Sequence, residues 1–392
     1  MAELTADWGL VTDDALAAVR TWLGVPRRER GWNSVASDDA IWHFAQGVGD
    51  DNPLWWDRDY AEGTRWARLM APPLFLYTCS NAGLRVGEDG IFPAEHWLPG
   101  TVPIWVSDRW HFHRPTWAGE RVTATAELMS VEERPGRDGR AATHVDRTSY
   151  VGEDGSLIAE CFKTHNRYDR RPGGPSTLAP ETPLTVYTDD ELAAIAAQYD
   201  HELSARRGAD TLHGDDVHEG QPLPRLVKGP LTLTGIVGFV MGWGSPLCQT
   251  NRIAYRYLAE HPGARLHDDR MNVSDTLEGP HWEPHLARMG GMGGCYDFGA
   301  QRVCWLAHLL TDWCGDDGFL SALEVRLRRP NLVGDVTWLG GGVTAVRESE
   351  PADDSVLVDC ALRATNQRGE ETATGTATVR LPRRAATSAP AG

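Results

Sequence analysis

The sequence has no Cys-x-x-Cys pair, and its seven cysteines are an odd number. A disulfide framework would call for an even, regularly spaced set, so these read as reduced thiols of a cytoplasmic protein. Cys295, Cys304 and Cys314 lie close together, but their spacing fits no zinc motif. Packing is their expected role, and no metal is expected. Basic residues are scarce: 38 Lys and Arg against 55 Asp and Glu leave a net charge of −17. That excludes nucleic acid as the main partner, because phosphate binding needs a basic face. An anionic small ligand needs only a local basic rim and stays open. Long hydrophobic runs are also missing. The most apolar stretch, 231–247, is interrupted by threonines and glycines and falls short of the ~20 residues that span a bilayer, so no membrane partner is expected. The opening "MAELTADWGL" is acidic and lacks the charged-then-apolar pattern of a signal peptide.

What is present points to a doubled chain. At ~150 residues per domain, 392 residues suggest two domains or one domain repeated. Sixteen tryptophans suggest aromatic-lined cavities or large core fillers. The segment 167–183, rich in proline, glycine and charge, reads as a linker. "TDDELAAIAAQYDHELSARR" after it has a cap-like start and reads as a connecting helix. The final "RRAATSAPAG" reads as a frayed tail. "FHRPTWAGERVTATAELMSV" and "LRRPNLVGDVTWLGGGVTAV" share Arg-Pro, three residues, Gly and an acid, with Pro115 matching Pro330 at an offset of 215. "WDRDYA" resembles "WEPHLA" at an offset of 226, and "FAQGVGDD" resembles "FVMGWGSP" at 195. Each half then reads as small helix, loop, long apolar helix (from Ala71 and from Gly299) and alternating antiparallel strands. A helix with a curled sheet leaves one open face, which a second such unit covers.

The stretch "SDDAIWHFAQGVGDDNPLWWDRDYA" with "MAPPLFLYTC" resembles the MaoC-like dehydratases, or (R)-specific enoyl-CoA hydratases, and a FAS1-like dehydratase N-terminal domain. Their signature runs Gly-Asp-x-Asn-Pro-aliphatic-His. Gly49, Asp50, Asn52, Pro53 and Leu54 match it, and Trp55 stands where the family has histidine. The resemblance implies an α+β chain of two tandem hotdog domains packed as a pseudo-dimer. The expected boundaries are an N-terminal hotdog at 1–168, linker and connecting helix at 169–207, and a C-terminal hotdog at 208–385 with an insertion at 245–280. The two sheets are expected to join, because hotdog pairs cover their edges that way. Pairing of two chains into a homodimer is left open.

The repeat places His281 opposite Trp55, in "HWEPHLARMGG". Ser245 stands opposite Asp50, and the two offsets differ by 31 residues, which measures the insertion. The resemblance implies a hydro-lyase acting without cofactor on an enoyl or 3-hydroxyacyl thioester carried by CoA or acyl carrier protein. Such a reaction needs an acid/base pair and donors for the thioester oxygen. His281 is the expected base. Its acid comes from the insertion: Asp268, Asp269, Asp275 or Glu278. Asp275 is preferred because it lies six residues before His281, close to the family spacing of five. Asp50 acts separately, if at all. Gly299, at the expected start of the long helix, lets a ligand carbonyl approach its unpaired N–H groups. Tyr296, Asn52 and Trp55 are expected at the substrate. Alternatives stay open for each. Asp50 and Asn52 also suit a side-chain-closed turn, Trp55 a core position, Asp297 a helix cap, Arg302 a buried ion pair and "MGGMGG" a loop at the pocket mouth. Two other functions remain: a hotdog cyclase or isomerase, and a non-catalytic acyl-binding subunit.

Overall fold

The computed structural model describes residues 9–384 except 81–84, 88–89, 93–97, 99–100, 137–138, 170–177, 246, 261–264 and 350–353. Much of the linker and the tail beyond 384 therefore lie outside the described residues. The helices are α1 (Asp13–Arg20), α2 (Asp38–Val48), α3 (Arg58–Glu62), α4 (Asp189–Ala205), α5 (Leu233–Trp243), α6 (Asn251–Glu260), α7 (Pro284–Met289) and α8 (Gly299–Cys314). The N-terminal strands are β1 (Arg27–Glu29), β2 (Arg85–Gly87), β3 (Gly90–Phe92), β4 (Val102–Phe112), β5 (Thr123–Pro135), β6 (Arg140–Val151) and β7 (Leu157–Tyr168). The C-terminal strands are β8 (Leu226–Lys228), β9 (Arg265–Asp268), β10 (Val273–Thr276), β11 (Phe319–Leu327), β12 (Thr337–Glu348), β13 (Ser355–Asn366) and β14 (Glu371–Pro382).

Ten strands form one sheet in the order β1–β5–β6–β7–β4–β11–β14–β13–β12–β8. Its centre is the antiparallel pair β4–β11, from Ala322 opposite His111 to Arg326 opposite Ser107. Each half thus closes the other's edge, which removes two exposed ladders of unpaired N–H and C=O groups. The fold is two hotdogs in tandem.

The repeat is visible in local chemistry. α2 and α5 each have 11 residues. Ser37 and Thr232 cap them by accepting from Ala40 N–H and Gly235 N–H. Both end on a glycine of positive φ, Gly49 at 72° and Gly244 at 74°, where an L side chain is strained. Short 3₁₀ turns follow at Pro53–Trp55 and Gly279–His281. The isolated bridges Met70–Trp117 and Tyr296–Leu332 are equivalent as well.

α2 and α5 run antiparallel with their backbones in contact. A Cβ on Gly242 would lie 2.2 Å from the carbonyl oxygen of His43, and one on Gly47 3.0 Å from that of Gly238. The two helices therefore place the loops that follow them at opposite ends. At 1.5 Å per residue, Asp50 and Ser245 stand roughly 15 Å apart along the pair.

α8 is the core helix: every residue from Ala300 to Cys314 is buried. One cluster gathers side chains of both halves, among them Phe44, Trp55, Tyr77 and Trp110 with Phe239, Trp243, Leu306 and Leu310. Burying each large apolar side chain contributes about 1.5–3 kcal/mol. The N-terminal half departs from the expected long helix. From Ala71 the described residues form a 3₁₀ helix, Pro73–Cys79, with no side-chain cap. Pro72 and Pro73 remove two N–H donors from its start, and 81–84 lie outside the described residues. The connecting helix is α4, closed by a capping box between Thr188 and Glu191.

Candidate active site

In the C-terminal half the chain leaves α5 at Gly244 and passes through Ser245, which is buried. The insertion then makes α6 and the β9–β10 hairpin. It returns at Glu278. Ser245 Oγ–H donates to Glu278 Oε1 at 2.7 Å, and Cys248 Sγ–H donates to Oε2 at 3.4 Å. A motif split in sequence is thus closed in space, with a carboxyl brought to the residue that matches Asp50. Burial pushes the Glu278 carboxyl above its ordinary value, against the two hydrogen bonds. Asp275 sits beside this carboxyl, which its charge raises further. Its Oδ1 accepts from Thr276 N–H at 2.7 Å. Asp268 pairs with Arg270, and Asp269 with His285.

Glu278 opens the 3₁₀ turn that ends at His281. Residues three apart on such a turn share a side. His281 Nδ1 lies 2.8 Å from the carbonyl oxygen of Tyr296. A carbonyl can only accept, so Nδ1 carries the proton and Nε2 keeps a free lone pair. The ring stacks on Phe298 at 3.7 Å between centroids and 20° between planes, and the Tyr296 ring is 4.4 Å away. Burial lowers the imidazole to about 4. The Tyr296 carbonyl opposes that shift and the Arg302 charge adds to it. His281 is therefore neutral near pH 7. Burial also pushes the Tyr296 hydroxyl up to about 12.

Phe298, under His281, is the N-cap residue of α8, and no side chain caps that helix. Its first N–H groups and the positive end of its dipole stand beside the imidazole. Asp297 is not the cap that the sequence suggests. It accepts from Asn331 Nδ2 at 2.6 Å and pairs with Arg302 Nε at 3.2 Å, while Arg302 donates to the carbonyls of Arg329 and Thr372. The network ties the helix start to the strand ends. Burial raises the Asp297 carboxyl to about 6 despite this pairing. A Cβ on Gly299 would meet Leu327 Cδ1 at 2.7 Å, the end of a side chain that could shift, and Trp105 Cε3 at an ordinary contact distance of 3.5 Å. The glycine-rich loop packs on the linker side: Gly293 O accepts from Thr182 N–H.

The N-terminal motif loop is built from the same turn chemistry. Asp50 Oδ1 accepts from Asn52 N–H at 3.1 Å, and Asn52 Oδ1 from Leu54 N–H at 3.0 Å. Trp55 is 2% exposed and its Nε1 has no hydrogen-bond partner. Asp50 meets a group that the sequence did not single out. His308 Nε2 lies 3.7 Å from Asp50 Oδ1 and 3.2 Å from Asp312 Oδ2, and Lys228 Nζ lies 2.8 Å from His308 Nδ1. Burial raises the Asp50 carboxyl, with the imidazole opposing. The only signal for this cluster in the sequence is the i, i+4 spacing of His308 and Asp312 on one helix face. Lys228 Nζ stands on the Nδ1 side of the ring and also donates to the carbonyl oxygen of Gly49 at 3.1 Å. Asp50 and His281 are not brought together.

The FAS1-like dehydratase domain region matches residues 22–161. A UPF0336 protein of Parafrankia sp. is 31% identical over 122 residues, 31% of this chain and 75% of the relative. Among solved structures, a MaoC-like dehydratase aligns over 93% of this chain and 100% of its own, with 17% identity and a TM-score of 0.64. A conserved hypothetical protein from Mycobacterium tuberculosis, with a double hotdog fold, aligns over 92% and 96%, with 13% identity and a TM-score of 0.53. The split motif, the shared ten-stranded sheet and these likenesses agree, and the chain belongs to the UPF0336 family, with a FAS1-like dehydratase region in its N-terminal half and a double hotdog fold.

Proposed function

We propose that the protein is a hydro-lyase that adds water to, or removes it from, an acyl thioester carried by CoA or acyl carrier protein, with His281 as its general base and Glu278 as the partner acid. One observation carries the reading. A neutral imidazole with an unprotonated Nε2 lies at the uncapped start of α8, three residues along one 3₁₀ turn from a carboxyl held by Ser245. In the dehydration direction, Nε2 takes the α-proton of a 3-hydroxyacyl thioester. The Glu278 carboxyl gives its proton to the leaving β-hydroxyl, which departs as water. The α8 N–H groups hold the thioester oxygen while negative charge builds on it. Hydration runs the same steps backwards. The two groups are perturbed in opposite directions, the imidazole towards its neutral form and the carboxyl towards its protonated form, as suits a base and an acid. Among the acids of the insertion, Glu278 is chosen over Asp275 because Ser245 holds it at the position matching Asp50. A cleft of ≈ 240 Å³ is lined by Gly294 and Cys295, next in sequence to Tyr296.

The test is turnover of crotonyl-CoA and longer trans-2-enoyl-CoAs, followed by loss of the enoyl thioester absorbance. His281→Ala should lower it ~10²–10⁴-fold, the usual share of general acid/base catalysis. No turnover of any chain length by the wild-type protein, or full turnover by His281→Ala, would sink the reading.

A further inference from the structure

We propose that the N-terminal half carries a second acid/base site, formed by Asp50 on its motif loop and His308 on α8 of the other half. The inference rests on the hydro-lyase reading and concerns the same class of acyl thioester. Position 55 cannot serve this loop, because an indole N–H only donates. His308 supplies an imidazole from across the interface, with Nε2 3.7 Å from Asp50 Oδ1. Lys228 Nζ donates to His308 Nδ1, so Nε2 bears the proton and faces the two carboxylates.

A purely structural cluster would complete its bonds, since buried polar groups rarely go unpaired. This one does not. Asp50, His308, Asp312 and Lys228 are 4%, 6%, 5% and 8% exposed, yet Asp312 Oδ1 has no hydrogen-bond partner. Asp50 and His308 also border a cavity of ≈ 10 Å³ with walls of Pro72, Leu74 and Ala307. That is room for about one water. Pro73 and Thr311 border both this cavity and a neighbouring one of ≈ 30 Å³, lined by Trp55, Met70, Leu76 and Phe112. One water beside an acid/base pair, next to an apolar slot, is the equipment for hydrating an enoyl chain.

In the hydration step Asp50 takes a proton from the water as the water oxygen bonds to the β-carbon. His308 Nε2 gives its proton to the α-carbon, and Lys228 gives one to Nδ1, so the imidazole ends neutral. Asp50 is left protonated, Lys228 neutral and the imidazole protonated on Nδ1; passage of the Asp50 proton to Nε2, as Nδ1 returns its proton to Lys228, restores the site.

The experiment compares crotonyl-CoA turnover by the wild type, His281→Ala, His281→Ala/His308→Gln and His281→Ala/Asp50→Asn, with folding checked by near-ultraviolet circular dichroism. Asparagine keeps an acceptor for Asn52 N–H but no base, so that double variant tests the site even where the His308 variant does not fold. His281→Ala should keep turnover above the uncatalysed rate, and each added substitution should lower it at least tenfold. An active wild type with His281→Ala at the uncatalysed rate would overturn the second site and leave the first. Double variants as active as His281→Ala would do the same. A wild type without turnover would overturn both.

Discussion

Lowering the pH from 7.5 to 5 should cost the folded protein about 2 kcal/mol through His281 alone. The imidazole titrates at about 4 in the folded chain against an ordinary value of 6.5. The unfolded chain therefore takes up a proton that the folded chain refuses, and stability rises with pH across this window. The contribution is complete above 6.5 and is lost as pH falls towards 4. A tenfold difference in proton affinity corresponds to about 1.36 kcal/mol, so the full loss is about 3 kcal/mol, with about 2 kcal/mol of it reached at pH 5. Urea unfolding of wild type and His281→Gln at both pH values isolates the effect, because all other groups titrate alike in the two proteins. Wild type should lose about 2 kcal/mol more than the variant. Equal losses would mean that His281 is solvated and titrates normally, and the packing against Phe298 and the Tyr296 carbonyl would be refuted. The same burial keeps the base neutral through the range from pH 7 to pH 5, so turnover should not fall with a midpoint near 6.5.

Glu278→Gln separates chemistry from packing. Burial raises this carboxyl, so its ionisation opposes folding as pH rises through its folded value. The neutral amide should match or raise the Tm at pH 8 while turnover falls at least ~10²-fold. A lowered Tm with intact turnover would make the residue structural. Gly242→Ala forces a Cβ against the His43 carbonyl and should cost about 1–3 kcal/mol in chemical denaturation. An unchanged midpoint would contradict the α2–α5 contact. Arg302→Ala strips the buried partner from Asp297 and should cost about 3–5 kcal/mol. A loss below 1 kcal/mol would show that the strand-end network does not hold the start of α8.

The sequence by itself determined whatever is written between near neighbours. Ser37 and Thr232 cap their helices three residues on, Gly49 and Gly244 end them in a conformation glycine accepts without strain, and alternating apolar residues mark the long strands. Those local rules gave the repeat, its offsets and the position of His281 opposite Trp55, because caps and periodicity act over one turn of chain. Ala71 and the apolar residues after it suit a long helix by pattern, but the two prolines at its start favour the tighter 3₁₀ turn found at Pro73–Cys79. Tertiary structure alone decided which groups meet. Glu278 reaches Ser245 only because the insertion folds out and back, and His308 reaches Asp50 only because α8 of one half lies against the motif loop of the other. Asp297 turned from helix cap to ion-pair partner because Arg302 and Asn331 converge on it from an adjacent turn and a distant loop. Apart from the Asp297–Arg302 pair, such contacts join residues tens to hundreds of positions apart. The burial that sets their charge states exists only once both halves have closed on one core.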